Sequence, residues 1–248
     1  MADIEISREG RVQIIRFNRA AKKNAITSAM YRTMADALTN GDDDAEIGAN
    51  LFLGQPEVFT SGNDIMEFMA VAMGGEHKTD VQDFLKALAT TKKPMLAALD
   101  GLAVGVGCTM LMHCDFVCAS PRAWVQTPFV ALGLVPEASS SLLAPRIMGR
   151  QRAFELLAMG EKFSAEKAER AGLINAVIET DNLEIFAKGK AQQIAEQPPE
   201  ALAIARRLVR SDTQEILERM AEEGALFAER LKSDEARQAF MQFMQKAG

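Results

Sequence analysis

The chain is poor in the residues that most directly announce a chemistry. Its 248 residues include two histidines and three cysteines. Positive charge is not in excess, with 28 Lys and Arg against 34 Asp and Glu and a net charge of −6. A nucleic-acid partner is therefore not expected, because a basic patch is its usual footprint. No apolar run approaches the roughly 20 residues of a membrane span, so no membrane partner is expected either. The start, MADIEISREG, lacks the basic and apolar regions of a signal peptide, and the end, MQKAG, is not a peroxisomal S-K-L address. The expected compartment is the cytoplasm. Cys108, Cys114 and Cys118 are odd in number, and their C-x5-C-x3-C spacing fits no zinc pattern even with His113 beside Cys114. They read as small buried hydrophobes, and no metal site is expected. No G-x-S-x-G is present, which leaves a Ser–His pair without a nucleophile turn. His77 falls at a surface helix start, and His113 reads as a satisfied core histidine.

What the chain does have is apolar content, 48% of its residues, and enough length for one large core. Residues 95–137 organise it. After Pro94, Met95 to Leu99 form an unbroken apolar run that reads as a strand buried on both faces. Asp100-Gly101 ends that run. Gly105 and Gly107 then open a second apolar run, read as a buried helix over 108–112. A glycine-rich turn between buried strand and buried helix leaves backbone N–H groups aimed at one spot, where the helix dipole adds positive character. Such a spot holds a phosphate or an oxygen that turns negative during a reaction. The third glycine of a dinucleotide fingerprint is replaced by Met110, and no G-x-x-x-x-G-K-[ST] occurs, so the phosphate reading is the weaker one. Close helix–strand packing explains the glycines equally well.

Along the rest of the chain, residues 4–6 and 12–17 alternate around Glu9-Gly10 as a hairpin. Thr27 caps a helix running to about Leu38, and Gly41-Asp42-Asp43-Asp44 reads as a surface turn. Residues 50–54 form a short buried strand. Phe59-Thr60-Ser61-Gly62-Asn63-Asp64-Ile65 is a second strand–glycine–helix junction, about forty residues before the first. Gly74-Gly75 precedes a polar helix over 78–90. Helices are expected over 142–147, 153–159 and 164–171, with a last strand at 174–178. Beyond Leu183 the pattern is helical, restarting at Pro198-Pro199, Ser211-Asp212 and Ser233-Asp234. The class is α/β to about residue 180 and helical thereafter.

Most carboxylates lie on polar helix faces. Glu137 differs, because Leu132-Gly133-Leu134-Val135-Pro136 before it carries no charge. Burial there raises a carboxyl pKa towards neutrality, which suits a base that must also return its proton. A glutamate favourable to the start of a following helix is the alternative.

The two junctions, with residues 165–173 and with Asn18-Arg19 followed by Asn24-Ala25, resemble the enoyl-CoA hydratase/isomerase (crotonase) superfamily in order and spacing. The resemblance implies an α/β fold, a spiral of ββα units over residues 1–195, and a helical trimerisation region over 196–248. It implies acyl-CoA thioester substrates, no cofactor beyond their CoA, and a homotrimer or dimer of trimers. An oxyanion hole is implied from the backbone N–H groups of Asn63 and Val106, with Ser61, Asp64, Ile65, Phe129 and Leu134 lining the substrate. Lys22 and Lys23 lie beside the CoA by the same resemblance, and Phe227, Phe243 and Lys246 line its adenine and acyl end. The two glutamates that hold water in the hydratases match Thr109 and Phe129 here. The single glutamate of the Δ3,Δ2-enoyl-CoA isomerase branch matches Glu137. That branch implies a proton shuttle by Glu137, with Phe129, Leu132, Leu134 and Met66 excluding water. A hydratase or dehalogenase would need a second acid or base, for which Asp64 is the nearest candidate. A silent acyl-CoA-binding member is a further alternative, against which the isolated Glu137 argues. Met220, Leu226, Phe227, Leu231, Phe240, Met241, Phe243 and Met244 are expected to stay exposed on a single chain and to drive its assembly.

Overall fold

From the third strand to the eighth, strands that follow one another along the chain go alternately to two sheets. The computed structural model describes residues 2–72, 79–210 and 212–247, apart from the side chains of residues 68, 70–72, 243, 244, 246 and 247. The expectations for His77, Gly74-Gly75 and the start of the helix at residue 78 lie outside the described residues. The first hairpin is β1 (Ile4–Glu9) and β2 (Val12–Phe17), paired antiparallel from Ile4↔Phe17 to Glu9↔Val12. Helix α1 (Ser28–Asp43) follows, and its Thr27 cap accepts the Met30 N–H. Next come β3 (Ala49–Leu53), β4 (Val58–Thr60), α2 (Ile65–Ala72) and α3 (Asp80–Thr90). The central stretch gives β5 (Met95–Leu99), β6 (Leu102–Val104), α4 (Val106–Thr109), β7 (Phe116–Ala119) and β8 (Trp124–Gln126). Then follow α5 (Ser140–Met148), α6 (Arg150–Leu157), β9 (Phe163–Ser164), α7 (Ala165–Arg170) and β10 (Ala176–Val177). Four helices complete the chain: α8 (Thr180–Ala195), α9 (Pro199–Val209), α10 (Thr213–Leu231) and α11 (Asp234–Ala247).

One sheet has the order β1-β2-β3-β5-β7-β10 and is parallel from β2 onward. The other has the order β4-β6-β8-β9, with β4, β6 and β8 parallel. The pairs β3/β4, β5/β6 and β7/β8 each place one strand in each sheet before a helical segment returns the chain, a spiral of ββα units. The apolar run of β5 follows from coverage on both faces. Phe52 and Ala97 face the main core with Phe17, Phe59 and Phe84, while Leu51, Leu96 and Ala98 face a second cluster. That second cluster is closed by Leu183, Ala187, Ala191 and Ala195 of α8, spaced four apart so that one stripe of mostly small side chains meets the sheet.

The sequence reading needs correction in several places. Helix α1 runs past Leu38 to Asp43, so residues 41–43 are its last turn and Asp44 its C-cap. The reason is tertiary: Gly41 is buried against the Gln13 side chain, and Asp42 accepts the N–H groups of Lys92 and Lys93 at 2.8 and 3.0 Å. The helix expected over 108–112 is split into four α-helical residues and a 3₁₀ turn at Met110–His113, which shortens its dipole. Strand β10 contains only Ala176 and Val177 of the expected 174–178. The apolar residues of α10 and α11 are mostly used within the chain. Leu231 and Phe240 are buried and Met220 and Phe227 pack on the main core, leaving Leu226 and Met241 exposed. The larger exposed apolar surface is on α9, where Ile204, Leu208 and Val209 face outward. Among the described residues no helix is long and apolar enough to cross a membrane.

Asp42 supplies the first test. Its carboxylate also accepts the Thr91 hydroxyl at 2.9 Å, so it satisfies three donors at the turn between α3 and β5. Asp42→Ala should cost about 2 kcal/mol in a urea melt, the range for hydrogen bonds to a charged group. Asp43→Ala, one exposed residue further, should stay within about 0.5 kcal/mol of the parent.

Candidate active site

The first junction, between β4 and α2, is clamped by the loop at residues 19–25. The buried Asn24 side chain donates to the Phe59 carbonyl at 2.9 Å and accepts the Arg19 N–H at 2.8 Å. The Thr60 hydroxyl donates to the Asn24 carbonyl at 2.6 Å, and the Ser61 N–H to the Lys23 carbonyl at 2.9 Å. Ile26 then donates to Gly62 O at 2.8 Å, and Asp64 donates to Ile26 O at 3.0 Å. This parallel bridge uses the groups on either side of Asn63 and turns the Asn63 N–H the other way, where among the described residues it has no acceptor.

The second junction, between β6 and α4, lies directly alongside. Gly62 adopts φ +85° against the Val104 carbonyl, and a Cβ there would stand 2.7 Å from that oxygen. Gly107 is equally tight, since its Cβ would meet the Thr60 methyl at 2.4 Å. Val106 is the first residue of α4, so its N–H precedes the helix's own bonding pattern, and among the described residues it too lacks an acceptor. Val106 itself is buried, and the positive φ of 58° at this turn falls on Gly105 before it.

Glu137 stands over this pair of junctions, 7% exposed. The Thr109 hydroxyl, one turn along from Val106, donates to its Oε1 at 2.5 Å. Burial pushes the Glu137 carboxyl up to about 7, against the Thr109 bond, which favours the ionised form, and with help from the charge of Glu223. Tyr31 and Cys108 lie near enough that the Glu137 charge adds to burial in pushing both of their pKa values up. The Tyr31 hydroxyl donates to Asn63 Oδ1 at 2.5 Å, which joins α1, the first junction and the surroundings of Glu137 in one patch.

The backbone after Glu137 is strained. Ala138 and Ser139 have φ of 59° and 57°, the left-handed region in which a non-glycine residue costs about 1–3 kcal/mol. His113 Nε2 donates to Ala138 O at 2.8 Å, and the Ser140 N–H donates to Glu137 O at 3.1 Å. The buried Glu223 of α10 accepts Ser139 N–H at 2.6 Å and Ser141 N–H at 2.9 Å. His113 is therefore only half satisfied, with a buried and unpartnered Nδ1, rather than the satisfied core histidine expected. Burial drives its pKa down to about 4, with the charge of Arg210 acting in the same direction, so at neutral pH its ring is uncharged.

The family model for enoyl-CoA hydratase/isomerase matches residues 7–248. The chain belongs to this family. It is 34% identical to enoyl-CoA delta isomerase 2 of Rattus norvegicus over 97% of its own length, and spans 63% of that relative. It is 33% identical to a Rhizobium meliloti (strain 1021) protein named as a probable enoyl-CoA hydratase, covering 91% of this chain and 86% of the relative. Among solved structures, Pseudomonas aeruginosa OdaA superposes with a TM-score of 0.93 at 39% identity, covering 98% of this chain and 99% of that one. The family's enzymes process acyl-CoA thioesters, and relatives of nearly equal identity carry isomerase and hydratase names.

Within that family frame the remaining expected residues separate clearly. Phe129 and Leu134 are buried in the main core, and Ile65, Leu132 and Phe227 are half-buried against it. Ser61 is half-buried at the first junction, with Lys22 and Lys23 exposed at the rim of its clamp. Phe243 and Lys246 have side chains outside the described set. Met66 is 68% exposed and does not shield the site as expected. Asp64 is not a free second acid. Burial alone would raise its pKa, but the Arg19 guanidinium at 2.8 Å and the Met66 N–H outweigh that and hold it low. Tyr31 and Glu223 were missed from the sequence. Tyr31 is the single tyrosine of the chain and lies on the apolar face of α1, which marks it as core. No local signal distinguishes Glu223 from Glu222 beside it.

Linkage gives a direct check on the buried carboxyl. A folded-state pKa of about 7 lies above the unfolded value, so the protonated form is favoured by folding. That contribution is full below about pH 4.5 and disappears as pH rises through about 7. Glu137→Gln should therefore gain stability relative to the parent between those limits, by up to about 3 kcal/mol at pH 8. Chemical denaturation at pH 4.5 and pH 8 measures the difference, and equal values at both would place the carboxyl at an ordinary pKa.

Proposed function

We propose that the protein is a Δ3,Δ2-enoyl-CoA isomerase in which Glu137 alone moves the proton. The observation that carries this reading is one buried carboxyl with one oxygen taken by Thr109. The positions that resemble the hydratases' paired glutamates hold Thr109 and Phe129, neither of which activates water. Asp64, at the first junction, is committed to Arg19, and Glu67 of α2 accepts the Ser28 N–H.

Glu137, through Oε2, removes a proton from C2 of a 3-enoyl thioester. The electron pair moves onto the thioester oxygen, which the N–H groups of Asn63 and Val106 hold as an oxyanion. Loss of one such donor typically costs about 100–1,000-fold in rate. The Tyr31 bond fixes the Asn63 side chain and keeps it from swinging over its own N–H. Glu137 then returns the proton at C4, which leaves the conjugated 2-enoyl thioester. A carboxyl near pH 7 serves both halves of the cycle, since it gives up and takes back the proton at similar cost. Phe129 and Leu134 limit water around the dienolate. No cofactor is needed beyond the substrate's CoA, for whose phosphates Lys22 and Lys23 are the nearest cations, with Phe227, Phe243 and Lys246 at its far end. The hydratase alternative is supported by relatives bearing that name, and it would need a second acid–base residue beside Glu137.

Given 3-hexenoyl-CoA, the protein should release 2-hexenoyl-CoA and little 3-hydroxyacyl product, with a rate that rises through about pH 7 as Glu137 ionises. Glu137→Gln should lower that rate by about 100–10,000-fold while leaving the affinity for a non-reactive acyl-CoA unchanged. Hydration of 2-hexenoyl-CoA at a comparable rate would favour the hydratase instead.

We further propose a homotrimer or a pair of stacked trimers. The apolar surface that supports this is the outer face of α9, with Leu208 77% and Val209 87% exposed. Light scattering at micromolar concentration should report three or six chains, and a monomer would contradict it.

A further inference from the structure

We propose that Glu223 is a positioning residue for the Glu137 base, holding from the C-terminal helices the left-handed turn on which that base is mounted. The inference rests on Glu137 being the base. It adds a residue 86 positions away in sequence that none of the family motifs contains.

The start of α5 shows why an outside group is required. Helices that begin with serine usually cap themselves, the serine oxygen accepting an N–H two or three residues on. Here Ser139 makes no such bond, and the hydroxyls of Ser139 and Ser140 are both buried without a partner. The left-handed conformation of Ser139 is not the extended one that a capping serine adopts. Glu223 takes over that role, each of its oxygens accepting one N–H, from Ser139 and from Ser141. Two charge-assisted bonds to alternate residues fix both the position and the rotation of the turn. His113 fixes the Ala138 carbonyl just before them. The turn directly after Glu137 is thus held by a donor from one side of the fold and an acceptor from another.

Glu223 also acts through its charge. Around Glu137 the groups that bear on its ionisation are Thr109 from α4, Glu223 from α10, Tyr31 from α1 and Cys108 from α4. Of these, Glu223 is the other carboxyl. Burial raises the pKa of Glu223 itself, against the Ser141 hydroxyl, the two backbone N–H groups and Arg219 on the same helix, which favour its charged form.

Glu223→Gln keeps the shape but turns one acceptor into a donor facing an N–H, and it removes the charge. The rate on 3-hexenoyl-CoA should fall about 10–100-fold, the cost of misplacing a catalytic group by a fraction of an ångström, while affinity for a non-reactive acyl-CoA holds. The midpoint of the Glu137 carboxyl, read by infrared difference against Glu137→Gln, should move below the parent's. That second readout uses no substrate. If the isomerase reading itself were wrong, the unaltered protein would not turn over 3-hexenoyl-CoA, yet the midpoint shift would still appear. Should Glu223→Gln not fold, Glu223→Asp keeps the charge but falls one methylene short of its partners. It should lose rate with the midpoint little changed. A folded variant with the parent's rate and midpoint, or a rate that falls only with the folded fraction, would overturn the proposal.

Discussion

Taking Glu137 out of water removes the solvation that keeps an ordinary carboxylate ionised at neutral pH, and the Thr109 hydroxyl replaces only part of it. The proton affinity of the site follows from that partial compensation. Stronger compensation would have pulled the carboxyl down, as the Arg19 guanidinium and backbone N–H groups do for Asp64. Among the described residues one donor meets one oxygen of Glu137 and leaves the second without a partner.

The fold supplies this arrangement by bringing two loop-to-helix junctions together. Strands β4 and β6 are parallel neighbours, so the chain leaves both at the same end of the smaller sheet and starts α2 and α4 side by side. Two unpaired N–H groups are thereby presented from rigid elements, and glycines at 62 and 107 allow the approach. Glu137 is delivered by a third crossing of the same spiral, after β8. Its turn is not stable by itself, and the C-terminal helices hold it. Residues 196–248 are therefore more than a cover: α10 carries core residues and the carboxylate of Glu223 together.

What could be read from the sequence was whatever is encoded locally. The Gly10 hairpin, the Thr27 cap, both glycine junctions and the buried β5 strand each depend on a few consecutive residues, and each was legible. Glu137 stood out because its N-terminal neighbours are apolar, which is a direct statement about burial. Helix α1 was read too short because Gly41 and three aspartates look like a turn. Asp42, however, meets the backbone at 92 and 93, fifty residues away, and that contact has no local trace. That Asp64 is unsuited to serve as a second acid has no local trace either, since its pairing with Arg19 depends on how a loop folds back. Tyr31 reaches Asn63 and Glu223 reaches Ser139 only through tertiary packing. Composition around each of them says nothing of its partner. The half-satisfied state of His113 likewise depends on the geometry of a turn that no propensity favours.

The proposed single-glutamate shuttle has one chemical signature that neither stability nor rate can imitate. Deuterium removed from C2 must travel on the Glu137 carboxyl and be delivered to C4 before the solvent exchanges it. Conversion of 3-hexenoyl-CoA carrying two deuterons at C2, followed by mass spectrometry and NMR of the 2-hexenoyl product, tests this directly. Retention of the transferred deuteron at C4 in a substantial share of the product is the predicted result. Product whose new C4 hydrogen comes entirely from solvent, at every extent of reaction, would contradict a single-glutamate shuttle.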